Sequence, residues 1–198
     1  MTLEQSSPAA APTALICIDM QHDFVDPTAA AAVAGAVNCV SAIERAARAI
    51  RERGVVIWVN RAYEPDGSNV ERSRLPKWRR APFVVSGTAG AEMVPGLGVA
   101  PGEIKMIKPS YSAFFGTDLE QVLSSNGIEH VVLCGVDLAR CVRASAVDAL
   151  SRGYLVTVLA DGTSTRSESA KTANLEDLVD LGAVVVTSAA LVADDLVV

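Results

Sequence analysis

The sequence predicts an α/β fold: a single doubly wound, Rossmann-like parallel sheet with helices on both faces. Three observations carry this. Short apolar runs alternate along the chain with segments of helical periodicity. Five of those runs have no polar alternate face, as expected of strands buried on both sides. Hydrophobic residues make up 50% of the 198 positions and charged residues 20%. That balance excludes a disordered chain, a collagen and a coiled coil. At this length one domain is expected.

The elements follow in order. Ala14-Leu-Ile-Cys-Ile-Asp19 is a short β-branched run ending in a carboxylate, the first strand. Met20 to Pro27 is a polar loop closed by proline. From about Thr28 to Arg53, Val33, Val37, Val40, Ile43, Ala47 and Ile50 recur at steps of three and four. That spacing predicts one helical face, with Gly54 as its stop. Val55 to Val59 is the second strand. Arg61 to Pro101 is rich in proline and glycine, and irregular segments of that length are usually functional. Glu103 to Lys108 is a third strand, stopped by Pro109, and a short helix spans about Thr117 to Ser125. His130 to Gly135, Tyr154 to Ala160 and Gly182 to Val186 complete the strands. Helices over Ala139 to Arg152 and Ser167 to Leu181 alternate with them.

Charge and composition narrow the function classes. Seventeen Lys and Arg against 23 Asp and Glu give a net charge of −6. An acidic chain is a poor binder of phosphate backbones, so no nucleic-acid partner is expected. No apolar run approaches the ~20 residues that span a bilayer, so no membrane partner is expected either. Residues 1–13 are Ser-, Ala- and Pro-rich without the marks of a signal peptide, and read as a flexible leader before a domain over 14–198. Cys17, Cys39, Cys134 and Cys141 show no CxxC spacing, which fits a cytoplasmic chain with free thiols. A zinc site needs three or four ligands, and two histidines with scattered cysteines do not suggest one. Asp-Met-Gln-His after the first strand lacks the glycines of a dinucleotide site. No cofactor and no metal are expected.

Doubly wound sheets place their sites at the carboxyl ends of strands. Asp19 follows the first strand, Lys108 the third, and Gly135-Val-Asp-Leu-Ala-Arg-Cys141 the fourth. A cysteine at a helix N-terminus feels the positive end of the dipole, which favours thiolate. A neighbouring lysine adds to this, and a carboxylate can take the proton. Each residue also has a plainer reading: Asp19 as a cap, Lys108 as an ordinary strand-end lysine, Cys141 as a small core residue.

Ile18-Asp-Met-Gln-His-Asp-Phe-Val25 resembles the opening motif of the isochorismatase-like cysteine hydrolases. Pro101-Gly-Glu103 with Lys108-Pro-Ser-Tyr-Ser-Ala-Phe114 and Gly116-Thr117-Asp-Leu119 resembles their lysine motif. Cys141-Val142 with Ala146, Asp148-Ala149 and Gly153-Tyr154 resembles their cysteine helix. The resemblance implies six parallel strands in the order 3-2-1-4-5-6. It also implies a triad of Asp19 as general base, Lys108 as supporting cation and Cys141 as nucleophile. A cis peptide at Val136–Asp137 is implied, with the N–H groups of Asp137 and Cys141 forming the oxyanion hole.

Two departures refine this. Leu138 stands where the family often has threonine, and Asn60-Arg61-Ala62-Tyr63 lacks the Asp-x-His metal site of nicotinamidases. Nicotinamide is therefore disfavoured. Cys141 favours hydrolysis of a small amide, ureido or lactam-like C–N bond over the vinyl-ether hydrolysis of true isochorismatases. A catalytically silent binding relative is the third alternative, and the intact Asp19–Lys108–Cys141 set argues against it. Phe24, Arg61, Trp78, Tyr111 and Leu138 are the candidate substrate-binding residues, Arg61 being placed to pair with a carboxylate. His22 is read as structural or pocket-lining. A Cys141–His22 dyad is the rival mechanism. A homodimer or homotetramer is expected from the apolar run Ala189-Ala-Leu-Val-Ala193 and the long loop.

Overall fold

A computed structural model describes residues 11–193. The first ten residues of the expected leader lie outside the described residues. Thr13, assigned to that leader from the sequence, instead opens β1 (Thr13–Ile18).

Six parallel strands form one sheet in the order β3-β2-β1-β4-β5-β6. Besides β1 these are β2 (Val55–Arg61), β3 (Ile104–Lys108), β4 (His130–Gly135), β5 (Leu155–Thr163) and β6 (Val184–Val186). Alternation along the central strands divides the interior. Ala14, Ile16 and Ile18 face one core, together with Val131, Leu133, Ile57 and Val59. That core is closed by Leu119 and Leu123 of α4 (Leu119–Ser125), Ala146 and Ala149 of α5 (Arg143–Ser151), and Leu178 of α6 (Glu168–Asp180). Leu15 and Cys17 face the other core, with Val132, Cys134, Val56 and Trp58. Its cover is Ile43, Ala46, Ala47 and Ile50 of α2 (Val40–Arg51) and Leu191 of α7 (Ser188–Val192). Period-two strands thus supply both layers, the arrangement expected when both faces of a sheet are buried.

The expected helix from Thr28 is shorter than its apolar spacing suggests. Residues 26–35 are turns, bends and irregular chain, Ala36–Cys39 is a 3₁₀ turn, and α2 begins only at Val40. Gly35 sits at φ +71°, which ends any helical path through it, and Val37 is 55% exposed. The apolar C-terminal run also differs from expectation, because Leu191 is buried in this chain's own core beside α2.

The segment between β2 and β3 has a small core of its own. Tyr63, Val70, Trp78 and Val84 pack together around α3 (Leu75–Trp78). Two polar side chains near α1 (His22–Val25) pin it to the sheet. Asp23 Oδ2 accepts from Val84 N at 2.6 Å. Gln21 Nε2 donates to Arg61 O and to Ala91 O, both at 2.7 Å, while Gln21 Oε1 accepts from Arg61 N at 2.9 Å.

Candidate active site

Strand order reverses between β1 and β4, and the candidate site lies at their carboxyl ends. Gly135 closes β4 at φ +104°, and a Cβ there would stand 2.0 Å from Ile18 O. Only glycine lets β4 run this close to the end of β1. The Val136–Asp137 peptide is cis, as the resemblance implies. A π turn over Leu138–Val142 then leads into α5 and carries Cys141. Ser145 Oγ ties this turn to the segment after β3, donating to Cys141 O at 2.7 Å and accepting from Ala113 N at 2.9 Å.

Three strand-end side chains converge. Lys108 Nζ donates to Asp19 Oδ2 at 2.7 Å and to Cys141 Sγ at 3.4 Å, with Ser110 O as its third acceptor at 3.1 Å. Lys108 and Asp19 are both buried. Asp19 Oδ1 is buried too and has no hydrogen-bond partner among the described residues. It is therefore free to accept a proton. Asp19 itself adopts φ +55°, an uncommon conformation for a non-glycine residue, and one that occurs at functional positions.

The helix-dipole expectation for Cys141 needs correction. Burial, and then the negative charge of Asp19, push the Cys141 thiol up to about 12, with Lys108 and Arg61 opposing. Cys141 lies in the π turn preceding α5, and desolvation outweighs the dipole. At neutral pH the resting group is a thiol, so it needs a base at the moment of reaction.

A cavity of about 600 Å³ opens over Cys141. Among the candidate substrate-binding residues, Phe24, Arg61 and Tyr111 line it. Trp78 and Leu138 do not. Trp78 is buried in the small core, its indole N–H donating to Phe83 O at 3.0 Å, and Leu138, the first residue of the π turn, is fully buried in the main core. His22 is not among the lining residues, which leaves the Cys141–His22 dyad without geometric support. His130 lies at the opposite end of β4, its ring bonded to Thr157 Oγ1 at 2.8 Å. A larger depression of about 1130 Å³ runs along α2 and contains none of the strand-end residues.

The sequence reading missed Arg74, Arg140 and Arg166, which also line the cavity. Arg166 had a signal, since it stands just past the end of β5. That strand runs to Thr163 through a register shift, three residues beyond its expected end.

A doubly wound sheet presenting a buried Cys–Lys–Asp set at its switch point defines a hydrolase-type α/β protein. The Isochorismatase domain model matches residues 13–190, and the chain belongs to that family. It is similar to an isochorismatase family protein from Desulfovibrio vulgaris, with 38% identity and a TM-score of 0.88 over 94% of this chain and 98% of that one. A probable inactive nicotinamidase of Arabidopsis thaliana is 36% identical over 175 residues, covering 86% of this chain and 89% of that protein. The ureidoacrylate amidohydrolase RutB of Methylorubrum extorquens is 32% identical over 171 residues, covering 76% and 69%.

Proposed function

We propose that the protein is a cysteine-dependent amidohydrolase. It cleaves the C–N bond of a small amide, ureido or lactam-like substrate through a thioester. The observation that carries this is the contact of one buried ammonium with both Asp19 and Cys141. The amidohydrolase activity named for the Methylorubrum relative supports the choice of bond.

Asp19, through its unpartnered Oδ1, takes the Cys141 proton as sulfur attacks the carbonyl carbon. Lys108 holds the Asp19 carboxylate in place and offsets charge on sulfur. Charge that develops on the carbonyl oxygen is met by the N–H groups of Asp137 and Cys141. The Asp137 N–H has no acceptor among the described residues, and losing one such donor typically costs about 10²–10³ in kcat. The protonated Asp19 then gives its proton to the leaving nitrogen, the C–N bond breaks, and ammonia or an amine departs. Asp19 next activates a water. Hydroxide adds to the thioester, the C–S bond breaks to release the acid, and the proton that Asp19 took from water returns to sulfur, restoring the thiol. These steps need neither metal nor cofactor.

The test is an ammonia-release screen over amides, ureides and lactams with Cys141→Ala as the blank. Turnover should vanish in the variant. Activity within about tenfold of the parent, roughly 1.4 kcal/mol of barrier, would overturn covalent catalysis, whereas no ammonia from any member of the panel together with hydrolysis of an isochorismate-like vinyl ether would favour that alternative. A catalytically silent relative is the second reading, favoured by the Arabidopsis relative's name; activity on any member of the panel removes it. A cytoplasmic homodimer or homotetramer completes the proposal. Its support is the exposure of Ile107 on the edge strand β3 and of Phe115 shortly after it, since exposed large apolar side chains mark association surfaces.

A further inference from the structure

Arg61 is 1% exposed, and its three nitrogens are unequally satisfied. Nη1 is bonded to Glu71 Oε1 at 2.6 Å and to Tyr63 OH. Nε and Nη2 are buried and have no partner among the described residues. Buried polar groups are nearly always paired. Here two unpaired N–H donors lie on the same side-on edge of one guanidinium, in a residue that lines the cavity over Cys141. Two parallel donors match two coplanar acceptors, the geometry of a carboxylate.

The edge is also held in place. Gln21 grips the Arg61 backbone from both sides. The rings of Tyr63 and Tyr111 lie 5.3 and 5.4 Å from the guanidinium carbon. Glu71 anchors the far end and is shared with Arg74, 3.8 Å away. Little conformational freedom remains to be lost on binding. The surrounding charge favours an anion. Arg74, Lys77, Arg140 and Arg166 join Arg61 in the lining, whereas the acids there, Asp19 and Asp137, are paired with Lys108 and Arg140.

We propose that the Nε–Nη2 edge of Arg61 binds a carboxylate of the substrate, and that the substrate is therefore a small amide or ureide bearing a carboxylate. The proposal rests on the amidohydrolase reading of the site and deepens it. Arg61 fixes which molecules enter, and Glu71 is a positioning residue that acts through Arg61.

The test uses Cys141→Ala protein, so that binding is read without turnover. Ureidoacetate, 3-ureidopropionate and succinamate are titrated by calorimetry, each beside the analogue in which its carboxylate is replaced by a carboxamide. At least one acid should bind, and its neutral analogue should bind about 10- to 100-fold more weakly. Arg61→Lys in the same background keeps the charge but loses the paired donors, and should erase most of that preference. Equal binding of acid and neutral analogue, failure of every acid to bind, or a preference that survives Arg61→Lys would overturn the proposal. The acid–neutral comparison is made without altering Arg61, so it decides even if Arg61→Lys does not fold. Failure of the covalent mechanism shows separately, as retained turnover by Cys141→Ala.

Discussion

Asp19→Asn should move two readouts in opposite directions. The base is lost, so turnover should fall by about 10²–10⁴. The same substitution removes a negative charge that raises the Cys141 thiol. Lys108 Nζ is 2.7 Å from Asp19 Oδ2 and 3.4 Å from Cys141 Sγ, so those two atoms are at most about 6.1 Å apart. At an effective dielectric of about 20, unit charges at that separation repel by about 2.7 kcal/mol, near two pKa units. The thiol of the variant should therefore ionise near pH 10 instead of about 12, with roughly 100-fold more thiolate at pH 8. Nucleophilicity falls as pKa falls, with a Brønsted slope of about 0.4–0.5, which leaves a net gain of roughly tenfold. The assay is the iodoacetamide rate at Cys141, followed by mass spectrometry of its peptide from pH 7 to 10. A variant that alkylates more slowly than the parent would refute the reasoning. It would mean that Asp19 already draws the proton from the resting thiol.

Other outcomes are expected. Cys141 should be alkylated ahead of Cys17, Cys39 and Cys134; burial holds Cys39 at about 11, below Cys141, so access through the cavity decides the order. Peptide mapping after limited labelling checks this. Gly135→Ala should cost about 3 kcal/mol or more in a denaturant melt, because its Cβ would meet Ile18 O at 2.0 Å. Burial lowers the pKa of His130, so the unfolded chain binds its proton first. Stability should then decline as pH drops below about 6.5, and His130→Asn should flatten that decline in thermal melts. EDTA should leave turnover intact, whereas loss restored by a divalent ion would contradict the mechanism. Light scattering at micromolar concentration should give a mass above the monomer's.

Most of the frame was legible because a parallel sheet buried on both faces leaves uninterrupted apolar runs, which β1, β2 and β4 show. Asp19, Lys108 and Cys141 were legible for a related reason, since strand ends at a switch point are where such sheets carry chemistry. The misreadings share a cause in tertiary packing. Apolar spacing from Val33 to Ile50 resembles one helix, yet residues 30–34 are drawn off as a wall of the cavity. Residue type alone suggests a pocket role for Trp78, but its ring packs edge-on against Tyr63, 5.9 Å away, in a core that local pattern does not reveal. The meeting of Arg61 with Glu71, ten residues on, depends on how the segment after β2 folds back. No periodicity encodes that.

The two pins at the start of α1 divide the labour within the chain. Gln21 and Asp23, close after the base Asp19, fasten the β2–β3 segment by its backbone and make few demands on its side chains. The reacting groups are set by the sheet, while Arg74, Lys77 and Phe83 are supplied by a module with its own small core. Such a module can be rewritten, lengthened or shortened between its anchor points while Asp19, Lys108 and Cys141 keep their distances. The same reacting groups can thereby sit behind different mouths, and a chimera that trades residues 62–101 with those of a relative should keep the chemistry and Arg61 while the part of the entrance supplied by Arg74, Lys77 and Phe83 changes with the module.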